Sequence, residues 1–248
     1  DVLSEFGGSG QTPNVDEFMR QSAIFLDATT PLSRTFPAWV SLLTGQHPRT
    51  TGAVANLVNR DMVDTSQTLG RILGGQGYRT VMATDEVRFS NIDQSYGFDQ
   101  LITPRIGASD FLLGTLNDLP LPNLVSLTIL GKWLFPNSYA NRATAATYHP
   151  DIFLNRLRAE IETGGPTFIA MHLAAAHYPY YTANTRQPPP NMQDSEMMFW
   201  YYNEGIRTLD QMFGAVLSIL SEKDLLNNAL VVVLSDHGEA LRQPRDRL

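Results

Sequence analysis

Ala229-Leu230-Val231-Val232-Val233-Leu234 is a run of six aliphatic residues, and Ser235-Asp236-His237-Gly238-Glu239 follows it without a break. An aliphatic run with no polar alternation is the pattern of a parallel strand covered on both faces. A carboxylate and an imidazole side by side at a strand's carboxyl end offer one oxygen and one nitrogen ligand to a divalent cation. The plainer alternative, which an isolated Asp-His pair more often meets, has Asp236 capping a turn beside a solvated His237; the position directly after the aliphatic run raises the weight of the ligand reading.

Upstream of this run, strand-like and helix-like segments alternate. Tyr202, Ile206, Leu209, Phe213, Val216 and Leu220 step by three and four, the period of a long amphipathic helix. Before it come a strand over Thr167–Leu173 and a helix from Asp151 to about Glu162, closed by Gly164-Gly165-Pro166. Nearer the start, strands are expected at Ala23-Ile24-Phe25-Leu26 and Tyr78–Thr84, with helices over Phe36–Thr44 and Ser66–Gly75 and a helix start at Thr12-Pro13-Asn14. Residues 104–150 show no clear period and carry Pro120, Pro122 and Pro136, so they read as an insertion or lid within a domain spanning 1–248. The alternation implies an α/β fold: a three-layer αβα sandwich with a mostly parallel central sheet and ligands at the strands' carboxyl ends.

Composition narrows the chemistry. A chain of 248 residues is long enough for one large α/β core. The absence of cysteine removes disulfides, thiol nucleophiles, Cys-ligated zinc and iron–sulfur clusters. A net charge of −7 argues against nucleic acid as the main partner, and a surface of that sign needs a cation to hold an anionic substrate. The most apolar window, Leu119–Pro136, is broken by prolines, Asn123, Gly131 and Lys132, so no transmembrane helix is expected. The chain opens at Asp1 with no leader and closes in a polar run, and it reads as a piece of a longer protein.

Two further segments hold candidate chemistry. In Ser33-Arg34-Thr35-Phe36-Pro37 the Thr35 hydroxyl stands at a helix start, where the dipole favours anions. Most threonines there are caps; a nearby metal would make this one a nucleophile. In His172-Leu173-Ala174-Ala175-Ala176-His177, His172 falls inside a strand and reads as a core residue. His177 lies just past the strand, where a general acid or anion ligand would stand.

Four motifs in order carry a resemblance: Thr12-Pro13-Asn14-Val15-Asp16, then Leu42-Leu43-Thr44-Gly45-Gln46-His47-Pro48 with Gly52, then His177-Tyr178-Pro179-Tyr180, then Ser235-Asp236-His237-Gly238-Glu239. The chain resembles the sulfatase family of the alkaline phosphatase superfamily over most of its length, and the resemblance implies an alkaline-phosphatase-like sandwich. The family's nucleophile stands seven residues before the Leu-Leu-Thr-Gly segment, which is Thr35 here. Arg34-Thr35-Phe36-Pro37 is similar to the nucleophile segment of nucleotide pyrophosphatase/phosphodiesterases. In those enzymes and in phosphonate monoester hydrolases an asparagine 21 residues further on holds the transferring group; that position is Asn56. Asp236 and His237 match metal ligands and His177 matches the substrate-side histidine, while Arg34 joins Asn56 as a substrate-binding candidate.

The departures are as informative. Sulfatases carry Cys or Ser, converted to formylglycine, with an arginine where this chain has Trp39; threonine cannot give that aldehyde. The resemblance also implies a metal-binding carboxylate ahead of Asp1 and a histidine beyond Leu248. It therefore implies a hydrolase or phosphotransferase that holds a divalent cation (zinc, manganese or calcium) through Asp236, His237 and Thr35. Such an enzyme would cleave a phosphate ester or diester through a covalent threonine. The alternatives are a sulfuric ester hydrolase and a non-catalytic binding module that kept the fold. The expected partners are small-molecule or lipid-linked phosphate or sulfate esters. The expected location is periplasmic or otherwise extracytoplasmic, with a possible membrane tether outside the chain.

Overall fold

The structure, a computed structural model, describes residues 12–86, 90–104, 124–125, 128–134, 149–239 and 241. Its helices are α1 (Pro13–Arg20), α2 (Thr35–Thr44), α3 (Pro48–Thr51), α4 (Leu69–Gly75), α5 (Ile129–Leu134), α6 (Pro150–Glu160) and α7 (Asp194–Glu222). Its strands are β1 (Arg79–Thr84), β2 (Gln100–Ile102) and β3 (Thr167–His172). The chain divides into two compact units, one drawn from residues 24–103, 160–172 and 220–248, the other from 1–23, 104–159 and 173–219.

The first unit is built on a parallel sheet in the order β2-β1-β3. β1 is central, pairing Val81 with Gln100 on one side and Arg79 through Thr84 with Thr167 through His172 on the other. Its Val81, Met82 and Ala83 have no solvent exposure, as a strand flanked on both sides requires. The helix expected over Phe36–Thr44 forms, and its Phe36, Trp39, Val40 and Leu43, at i, i+3, i+4 and i+7, pack with Met82, Ile92, Tyr96, Phe98 and Ala170 in one core cluster. Each such side chain contributes about 1.5–3 kcal/mol by leaving water. α2 ends at Gly45, whose φ of 67° is the left-handed conformation glycine adopts without cost.

Two predicted strands do not form. Ala23–Leu26 and Ala229–Leu234 make no backbone ladder among the described residues. Their side chains are outside the core: Phe25 is 86% exposed and Leu230 91%. An aliphatic run records a tendency to be buried in a sheet, but a strand exists only where a neighbour completes its hydrogen bonds. β2, three residues long, gave no periodic signal to read. Most of the predicted 104–150 insertion lies outside the described residues; of it, α5 is the longest described piece.

In the second unit α1 docks on α7 through a buried carboxylate. Asp210, 1% exposed, accepts the Val15 N–H through Oδ1 at 2.8 Å and Asn14 Nδ2 through Oδ2 at 2.7 Å. An anion at a helix N-terminus meets both the dipole and the unpaired N–H groups. Thr12 is the N-cap of α1 but makes no capping bond with its side chain, which donates to Asp16 Oδ1 at 3.0 Å. α7 is also longer than its apolar period suggested. It buries Glu204, Thr208 and Asp210 near its middle, whereas Tyr202, Ile206 and Leu209 of the predicted stripe are only half-buried.

Candidate active site

Thr35 is the first residue of α2, and its side chain is buried. Its Oγ1 lies 3.1 Å from Nε2 of His237, a residue 202 positions away. Nδ1 of the same ring lies 2.7 Å from the Gly238 carbonyl oxygen. A carbonyl only accepts, so Nδ1 carries the proton and Nε2 presents a lone pair. The turn is held locally: Ser235 Oγ donates to the His237 carbonyl at 2.6 Å, and the His237 N–H donates to Asp236 Oδ1 at 3.0 Å.

The other oxygen of Asp236, Oδ2, is buried with no hydrogen-bond partner among the described residues, and it lies 3.7 Å from His237 Nε2. A buried, unpartnered carboxylate oxygen is costly, and a cation is one way to satisfy it. Asp236 Oδ2, His237 Nε2 and Thr35 Oγ1 therefore form a donor set of mixed oxygen and nitrogen that fits a divalent metal. The hydrogen bond from Nδ1 to a backbone carbonyl is the outer support that metal-ligating histidines ordinarily have. Among the described residues no group of three or more His, Cys, Asp and Glu side chains converges.

Asn56 joins this cluster from the loop after α3. Its Oδ1 accepts the Phe36 N–H at 3.2 Å. The glycine and proline positions of Leu42-Leu43-Thr44-Gly45-Gln46-His47-Pro48 make that return possible. Gly45 ends α2 in the left-handed region, His47 Nδ1 accepts the Arg49 N–H, Pro48 opens α3, and Gly52 closes it with φ 82°. A Cβ on Gly52 would collide with the Met62 carbonyl, so the chain can fold back closely only with glycine there. The α2 start is less open than expected. The Phe36 N–H is taken by Asn56, Pro37 has none, and the Ala38 N–H donates to the Arg34 carbonyl. With Oδ1 engaged, Asn56 keeps both amide hydrogens for another acceptor. Arg34 is the N-cap of α2, with its side chain exposed.

Trp39, one turn beyond Thr35, lays its ring 5.3 Å from that of His172, the last residue of β3. This contact ties α2 to the carboxyl end of the sheet. His177 belongs to the second unit. Its ring Nδ1 lies 2.8 Å from the Tyr178 carbonyl and so carries a proton, and the loop is closed by the Tyr180 N–H donating to the His177 carbonyl at 2.9 Å. Tyr180, at φ 62°, is buried against Tyr202 of α7 with ring centroids 5.3 Å apart.

The same loop is fastened at its far end by a charge cluster that the sequence did not announce. Glu204 of α7, 2% exposed, accepts Arg186 Nη2 at 2.5 Å and Nε at 2.9 Å, and Arg207 Nη2 at 3.0 Å. Burial by itself would raise this carboxyl, but the hydrogen bonds from Arg186 and Arg207 outweigh it and lower the pKa to about 2. Glu204 was unreadable because a glutamate on an amphipathic helix is ordinarily solvated. The only hint was the i,i+3 spacing to Arg207.

Comparison with solved structures shows the fold. A phosphonate monoester hydrolase from Agrobacterium radiobacter matches with a TM-score of 0.59 at 14% identity, over 90% of this chain and 57% of that one. A sulfatase from Pseudoalteromonas sp. matches at 0.53 and 16% identity, over 91% and 50%. An alkaline phosphatase superfamily protein from Vibrio parahaemolyticus matches at 0.52 and 18%, over 90% and 48%. The chain thus has the superfamily's layered α/β fold with a parallel sheet and spans about half the length of these proteins. No curated protein sequence matches it. The family model Sulfatase, however, matches residues 2–247, nearly the whole chain, and on that ground the chain belongs to the sulfatase family.

Proposed function

We propose that the protein is a metal-dependent esterase of the sulfatase family that cleaves or transfers a phosphate ester or diester through a covalent intermediate on Thr35. The observation that carries this reading is the approach of Thr35 Oγ1 to His237 Nε2 within 3.1 Å, beside the unpartnered Asp236 Oδ2. Asp236, His237 and Thr35 would hold the cation. When bound, a divalent ion there lowers the pKa of an alcohol and offsets the charge of a phosphoryl group.

The chain's own residues divide the remaining work. Thr35 loses its proton to water as its Oγ bonds to phosphorus, and the bond from phosphorus to the leaving oxygen breaks. The amide hydrogens of Asn56 hold a non-bridging oxygen, worth about 10²–10³ in rate for one well-placed donor. Arg34 adds a positive charge for the rest of the substrate. His177 gives a proton to the leaving oxygen. Water or an acceptor alcohol then attacks phosphorus and restores the Thr35 hydroxyl. The net negative charge of the chain makes a resident cation the natural counterweight to an anionic ester. The substrate is a small or lipid-linked ester met outside the cytoplasm.

A second reading, hydrolysis of a sulfuric ester, is favoured by the likeness to the Pseudoalteromonas sulfatase. It requires a threonine to do what formylglycine does in that chemistry. Paired aryl phosphate, phosphodiester and sulfate substrates, assayed with the whole protein and added zinc, manganese or calcium, separate the two. Turnover of the phosphoesters with little sulfate release supports the first reading, and the reverse order overturns it.

A further inference from the structure

We infer that Gly205 of α7 is a positioning residue for His177: the bare helix backbone presses on the turn that carries the histidine and fixes where it stands. This role rests on His177 as the proton donor of the proposed reaction, and adds the residue that aims it. Gly205 is buried within a helix of 29 residues. Glycine inside a helix costs about 1 kcal/mol against alanine, so its presence calls for a reason in the packing. A Cβ at Gly205 would stand 2.7 Å from the Ala175 carbonyl oxygen and 3.4 Å from the Ala176 Cα. A carbon that close to a backbone oxygen is repelled, so glycine alone lets helix and turn meet as they do.

Ala175 and Ala176 are the central residues of that turn, which closes where the His177 N–H donates to the Ala174 carbonyl at 2.9 Å. Ala175 has no solvent exposure, so its carbonyl cannot retreat without moving its neighbours. Beyond His177 the same stretch of α7 holds the chain again. Tyr180, 2% exposed, sets its ring 5.3 Å from that of Tyr202, and Tyr181 lies 5.6 Å from Tyr201. Arg186 is bonded to Glu204. Residues 201–205 therefore grip the loop on both sides of His177. A push at Ala175 has to be absorbed before Tyr180, and His177 lies in the middle of that span.

The test measures kcat and KM of the whole protein, with divalent metal added, on a phosphoester with a slow leaving group and on an activated aryl phosphoester. Gly205→Ala should lower kcat about tenfold or more with the slow leaving group and much less with the aryl ester, at little change in KM. Added to His177→Gln it should cost nothing further, because both act through one group. Tyr202→Leu, which loosens Tyr180 without crowding the turn, should show the same split between the substrates. Gly214→Ala, whose Cβ meets Asn14 instead, should lower the melting temperature and leave the ratio of the two substrates unchanged. A crystal structure of Gly205→Ala should show the 174–177 turn displaced by about half an ångström or more with Tyr180 in place. An undisplaced turn overturns the inference. So does a split in His177→Gln that Gly205→Ala, or Tyr202→Leu where Gly205→Ala does not fold, fails to share. No split in His177→Gln itself strikes the proton-donor reading, and the positioning role falls with it.

Discussion

The two ring nitrogens of His237 are in different states, and the candidate chemistry begins there. Gly238 fixes the proton on Nδ1, so Nε2 faces Thr35 with a lone pair. Thr35→Ala should lower turnover by about 10³-fold or more while the melting temperature stays within a few degrees, as steady-state assay and calorimetry will read. Asn56→Ala should lower kcat by about 10²-fold through loss of one donor. It should also cost about 1 kcal/mol of stability by leaving the Phe36 N–H unpaired, measurable by urea unfolding. His177→Gln should lower kcat by about 10²-fold with a slow leaving group and by much less with an activated aryl ester, as steady-state assay will read. The structure brings Thr35 to His237 and Asn56 to Phe36, and the four residues Thr35, Asn56, Asp236 and His237 could be named from the sequence because their motifs, or for Asn56 the distance from Thr35, have fixed spacing. Asp210 and Glu204 were not, since nothing local distinguishes a carboxylate that a distant helix start or arginine will bury.

Elements show where periodicity is a sound guide and where it fails. β1 and α2 were readable because each is buried along its own length against the sheet core. The runs 23–26 and 229–234 have the same composition without a partner strand among the described residues, and no single segment can report whether its neighbour is there. α7 was seen through its apolar steps, yet its buried face carries Glu204 and Asp210 in polar cradles. Glu204→Gln should remove the charge and one of the two acceptor oxygens that the arginines share, and cost about 3 kcal/mol, read as an earlier urea midpoint. The pH dependence has a definite sign. Glu204 has its pKa lowered to about 2 in the fold, so its contribution is full above the ordinary glutamate range and is lost as pH falls toward 2. Acid unfolding of the wild type and of Glu204→Gln should converge there. Gly214 is a further test of packing: a Cβ would collide with the Asn14 side chain, so Gly214→Ala should loosen α1 and cost about 1–3 kcal/mol.

At the scale of the whole molecule, the family membership and the parallel sheet were foreseen together, because four motifs in order constrain a topology more than any one of them constrains a site. The chain spans about half the length of its solved relatives, so the proposed activity belongs to the whole protein. The most direct trial is to quench that protein during turnover of a phosphoester labelled at phosphorus, digest it, and map the label. Label on the peptide holding Thr35, absent in Thr35→Ala and dependent on added divalent metal, is the expected result. Full turnover with no label on that peptide, or with label on another residue, would contradict the claim that Thr35 is the attacking group.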